Sequence, residues 1–157
     1  MKLRAFIVML MVCSLGAGGC QFVRKKFPKL MRLELPQSPQ QVEELSQLRY
    51  PRQAPIGDDW DIIVLRDGRS IELVNRTARS YSDLHLWLNR RYVAPVESIR
   101  IGSGNRKQLS LFVDRHRESF PIGALLAPDK ARPLVSADLF DQTTGLRHRL
   151  VVRAADN

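Results

Sequence analysis

The sequence predicts a mainly β domain, read as a small antiparallel β-sandwich behind an N-terminal leader and a basic tether. Three observations predict it. From Gly57 onward, apolar and polar residues alternate with a period of two, the period of a half-buried strand. Seven or eight such runs occur, with turn residues between them. The helical signal ahead of them is confined to one short stretch.

The strands follow in order. Residues 61–65 (DIIVL) form a short apolar strand, and Asp67-Gly68 is a tight-turn signal. Residues 70–75 (SIELVN) return, with Ile71 and Leu73 on one face. After a polar loop, residues 83–89 (DLHLWLN) alternate: Leu84, Leu86 and Leu88 point one way, His85 and Trp87 the other. Asn89-Arg90 turns into residues 91–96 (RYVAPV), where Pro95 marks a strand end or a sheet edge. Residues 98–101 read as a further short strand, and the glycine-containing GSGN at 102–105 as a loop. Residues 108–114 (QLSLFVD) again alternate. Residues 134–140 and 146–153 form a closing hairpin across DQTTG. In its last strand Leu146, His148, Leu150 and Val152 oppose Arg147, Arg149, Val151 and Arg153. About 100 residues suits an immunoglobulin-like β-sandwich in size. With cysteines only at Cys13 and Cys20, the Cys…Trp…Cys framework of true immunoglobulin domains is missing.

Ahead of the strands stands one helix, over residues 39–49. Ser38 is an N-cap, Pro39 occupies the first helical position, and Gln41 completes a capping-box pattern. Val42, Leu45 and Leu48 make a narrow apolar stripe that packs on the domain or on a partner. Tyr50-Pro51 ends the helix. Residues 20–56 therefore read as a linker, and 57–157 as the domain. Arg24, Lys25, Lys26, Lys29 and Arg32 cluster at the start of the linker, where basic residues attract anionic headgroups.

The first 19 residues explain that arrangement. Lys2 and Arg4 precede an unbroken apolar run at 5–12 (AFIVMLMV), followed by small residues up to Gly19. This is the layout of a signal peptide, and its apolar core falls short of the roughly 20 residues that span a bilayer. Ala17-Gly18-Gly19-Cys20 resembles the lipobox of bacterial lipoproteins, with Ala17 where that family usually carries Leu. The resemblance implies cleavage before Cys20, lipidation of its thiol, and a periplasm-facing, membrane-anchored envelope protein. Gln21 after the cysteine, where inner-membrane lipoproteins often carry Asp, favours the outer membrane. SIELVN, DLHLWLN followed by RYV, and the terminal hairpin look like small domains of bacterial envelope lipoproteins, a likeness that implies no activity.

Composition narrows the partners. Basic residues outnumber acidic ones 25 to 16, and loss of Lys2 and Arg4 with the leader leaves +7. In an exported, anchored chain that excess points to anionic lipid or an envelope polymer or protein, not to nucleic acid. No thiol remains for a disulfide or a metal once Cys13 has left and Cys20 is lipidated. His85, His116 and His148 are scattered, without ligand spacing, so no metal or cofactor is expected. No G-x-S-x-G, S-x-x-K or H-E-x-x-H motif is present. Asp58, Asp59 and Asp61 around Trp60 suggest glycan chemistry, but a solvated edge is the plainer reading.

Two surfaces remain as candidates. Trp87 with His85, and Tyr92 nearby, would form an aromatic binding platform unless the tether helix or a loop covers it. Arg147, Arg149 and Arg153 share one face of the last strand, able to meet anionic lipid or polymer or simply solvated. The expected function is a non-enzymatic binding or structural module. An accessory subunit of an envelope secretion, pilus or transport assembly is the second reading, and a cell-wall or glycan enzyme the third.

Overall fold

The computed structural model describes residues 37–123 and 131–154. A helix α1 (Pro39–Gln47) precedes seven strands: β1 (Ile62–Asp67), β2 (Ser70–Asn75), β3 (Tyr81–Leu88), β4 (Tyr92–Ile99), β5 (Gly102–Gln108), β6 (Ala137–Asp141) and β7 (Arg147–Ala154). They form one sheet in the order β4-β3-β6-β7-β1-β2-β5 that curls nearly into a barrel. The mainly β expectation holds. Fully antiparallel pairing does not, because β1 and β7 run parallel. Most of the chain lies between these two strands, which is ample for the long connection that a parallel pair needs.

Strand β7 joins the two halves. Its first residues pair with β6, Ala137 standing opposite Leu150, and its later ones with β1, Ile63 opposite Val151. The segment before β1 touches β7 once more, at Ile56 opposite Arg147. Eight residues from Ile56 to Ile63 thus answer five from Arg147 to Val151. The surplus bows out as a loop that carries Gly57 and Trp60.

The core fills the inside of the curl. Leu84, Leu86 and Leu88 from β3 meet Ile62, Val64, Ile71 and Leu73 from the other half, with Tyr92, Phe112, Phe120 and Leu139 between them. Burying each such side chain contributes about 1.5–3 kcal/mol. The β3–β4 hairpin turns through three residues, Asn89 to Arg91, with Asn89 and Arg90 at φ +52° and +55° and the Arg91 N–H donating to Leu88 O. Asn89 also ties this turn to the chain before β6: its Oδ1 accepts from the Val135 and Ser136 N–H groups, and its Nδ2 donates to Pro133 O.

Three local expectations are corrected. The glycine-containing run at 102–105 is not a loop but the start of β5, an edge strand paired with β2. Asn105 secures it: its Nδ2 donates to Leu73 O and Arg100 O while its Oδ1 accepts from Arg100 N. Residues 108–114 are not a strand. A 3-10 turn over Leu109–Leu111 interrupts them and buries both leucines, which a straight strand would have sent to one face with Ser110 opposite. Residues 98–101 likewise do not stand alone, because β4 runs unbroken to Ile99. Pro95 sits in β4 at the edge of the sheet, as its missing N–H requires.

Candidate functional site

The outer face of β3, β6 and β7 carries several of the residues singled out by sequence. Register fixes their neighbours: Trp87 stands opposite Val93 and Asp138, and His85 opposite Pro95 and Phe140. Helix α1 covers this face. Ser38 caps it by accepting the Gln41 N–H at 3.2 Å. Its stripe of Val42, Leu45 and Leu48 packs with Tyr50 against Trp87, Val93, Val113 and Phe140. Trp87 is consequently 4% exposed, with Tyr50 edge-on at 5.7 Å. The platform reading is thereby corrected: the indole is the floor of the helix-packing layer. Tyr92 does not join it. As the cross-strand partner of Leu88 it points into the core, where it meets Phe120 at 5.0 Å. His85 is partly buried, and burial lowers its pKa.

Beneath α1 lies a polar knot. Arg147 Nη1 donates to Tyr50 Oη at 2.7 Å and to Asp138 Oδ1 at 3.2 Å, and the Tyr50 hydroxyl donates to Asp138 Oδ2 at 3.1 Å. Burial, then the adjacent Asp138 carboxylate, push the Tyr50 hydroxyl above the ordinary phenol range, so it stays a donor. The Nε of Arg147 and the Nε1 of Trp87 find no hydrogen-bond partner among the described residues. Arg147 is therefore not part of an open arginine face. It is buried because Tyr50 and the chain at Pro55–Gly57 close over it, with backbone hydrogen bonds to both Pro55 and Gly57.

A second cluster fastens the bowed loop. The Trp60 ring stacks on Tyr81 at 3.9 Å and on His148 at 3.7 Å. At such distances the two partners must occupy opposite faces of the indole. Arg79 covers Tyr81 at 5.3 Å. His148 Nδ1 lies 2.8 Å from the Asp58 carbonyl, which assigns that nitrogen the proton. With both indole faces occupied, Trp60 offers no sugar platform, and Asp58, Asp59 and Asp61 are exposed around it. Among the described residues no three His, Cys, Asp or Glu side chains converge as metal ligands would.

One face is partly exposed among the described residues. On the outside of β7, β1 and β2, Val151, Ile63 and Val74 form one cross-strand row, in which Val151 is exposed, Val74 half-buried and Ile63 buried. Arg153, Leu65, Glu72 and Arg106 form the next. Val151 is 54% exposed and lies between Arg149 and Arg153, both exposed. Ile56, set beside Arg147 by its bridge, is 52% exposed. The sequence placed Val151 with these arginines. It missed Tyr50, Asp138 and the Trp60 stack, whose partners lie up to 97 residues apart and leave no local pattern. Cys20 and the basic cluster from Arg24 to Arg32 lie outside the described residues. No protein family, curated protein or solved structure matches this chain.

Proposed function

We propose that this chain is a lipid-anchored protein of the bacterial cell envelope, held at the membrane by Cys20 and facing the periplasm, with the outer membrane favoured by Gln21. Its β unit, read as an immunoglobulin-like sandwich whose halves share β7, is an interaction module and not an enzyme. The observation that carries the anchoring is Ala17-Gly18-Gly19-Cys20, placed directly after a charged and then apolar leader. The buried ionisable groups support the second half of the reading, since each is spent in packing. Asp114 is clamped by Arg91 at 2.6 Å, Asp138 by Tyr50 and Arg147, and His148 by the Trp60 stack. What the unit presents to its surroundings is the open face beside Arg149 and Arg153.

Metabolic labelling with a fatty acid tests the anchor. The wild-type chain should take up label and float with membranes, and Cys20→Ser should do neither. Normal labelling and flotation of Cys20→Ser would overturn the proposal.

A further inference from the structure

We infer that the outer face of β7, β1 and β2 is a second membrane contact, which docks on anionic phospholipid headgroups once Cys20 holds the chain at a bilayer. The inference rests on the anchoring proposed above. Arg149 and Arg153 flank the exposed Val151 on one strand face, two residues to either side. Neither forms an ion pair with any described residue, whereas Arg106 in the neighbouring row is paired with Asp67. Two guanidinia without an ion-pair partner among the described residues, set around an apolar side chain, match an anionic interface. The heads meet phosphate, and the valine and the nearby Ile56 reach the acyl boundary.

Other occupants fit less well. A second copy of this face would set arginines against arginines. A stable soluble protein partner buries about 800 Å² on each side around a well-packed apolar centre. Here the large apolar side chains that stand well out of the face are Ile56 and Val151. A bilayer needs no such patch, because the anchor already raises the effective concentration of the face into the millimolar range. The 16 residues from Gln21 to Pro36 could reach at most about 55 Å if extended, enough to let the unit lie down on the surface. Each arginine near an acidic surface is worth roughly fivefold in partitioning.

The test uses a property of the mature chain, which has no thiol other than the lipidated Cys20. Val151→Cys in the full-length protein then takes a single environment-sensitive fluorophore. The labelled, lipidated protein is reconstituted on phosphatidylcholine vesicles, and on equal mixtures of phosphatidylcholine and phosphatidylglycerol. Emission should shift to the blue and be quenched by brominated lipid on the anionic vesicles alone. Adding Arg149→Gln and Arg153→Gln should reduce the docked fraction roughly tenfold or more. A label at Ser98→Cys, exposed on β4 and three strands away from β7 in the sheet, should remain aqueous. The tether is present in every sample, so its charges cancel in the comparison. Protein that floats with the vesicles while the label at position 151 stays aqueous overturns the docking and leaves the anchor intact. Equal blue shifts on neutral and anionic vesicles overturn the role of the arginines. Failure to float overturns the anchor, and with it the docking.

Discussion

Gly57 lies against the imidazole of His148 so closely that a Cβ at position 57 would stand 2.4 Å from Cε1. The ring cannot step aside, since Trp60 stacks on one face and the Asp58 carbonyl holds Nδ1. Gly57→Ala should therefore cost about 1–3 kcal/mol through overpacking, measured by urea denaturation. Combining it with His148→Ser should cost less than the sum of the two single changes, because the clash is gone. Strict additivity in that cycle would show that the contact does not govern the site.

The Asp138–Arg147–Tyr50 knot predicts a different asymmetry. Arg147→Met strands a buried carboxylate with a single hydroxyl donor, and should destabilise by about 3–5 kcal/mol. Replacing both ends, Asp138→Leu with Arg147→Met, should recover most of that loss, because no buried charge is left uncompensated. Equilibrium unfolding of the three chains decides the matter. A double variant as unstable as the single one would mean that the knot supplies stability beyond mutual neutralisation.

Acid should loosen the loop after Val113. Burial works to raise the pKa of Asp114, but the Arg91 guanidinium and the N–H groups of Glu118 and His116 outweigh it and hold the carboxyl below its usual range. Asp141 behaves alike, with burial opposed by Thr144 and Thr143. A carboxyl lowered in the folded state gives stability that is complete above the unfolded value near 3.8 and is lost as pH falls through the folded one. The share carried by these two carboxyls should hold steady above about pH 5 and decline below about pH 4, while His85, lowered by burial, should begin to cost stability earlier, as pH falls below its ordinary value of 6.5. Asp114→Asn should melt lower at neutral pH, by about 2 kcal/mol, and fall less steeply in acid. An unchanged acid slope in that variant would remove Asp114 from the account.

How much of this was legible in the sequence depends on the range over which each feature is decided. Ile71, Leu73, Leu84, Leu86 and Leu88 announce their side of the sheet because a strand's period is local. Ser38 and Pro39 announce α1 for the same reason. Trp87 does not announce its burial. Alternation sends it outward correctly, and what covers it arrives from Leu45 and Tyr50, some 40 residues upstream. Gly102 and Gly104 look like a loop because glycine weakens strands, yet an edge position beside β2 tolerates them. Of the three arginines on β7, Arg149 and Arg153 stand out as read, while Arg147 is taken inward by a tyrosine that no spacing rule connects to it.

The partner change along β7 also governs when the fold can exist. Ile63 and Val151 pair across 88 residues of chain, so the two halves cannot be joined until the C-terminal strand is free to enter between them. High contact order of this kind places folding in the millisecond-to-second range and late in chain delivery. A chain passed N-terminus first across a membrane would hold no finished sheet in transit. It would stay thin enough to thread, and would become compact only after its last strand had crossed.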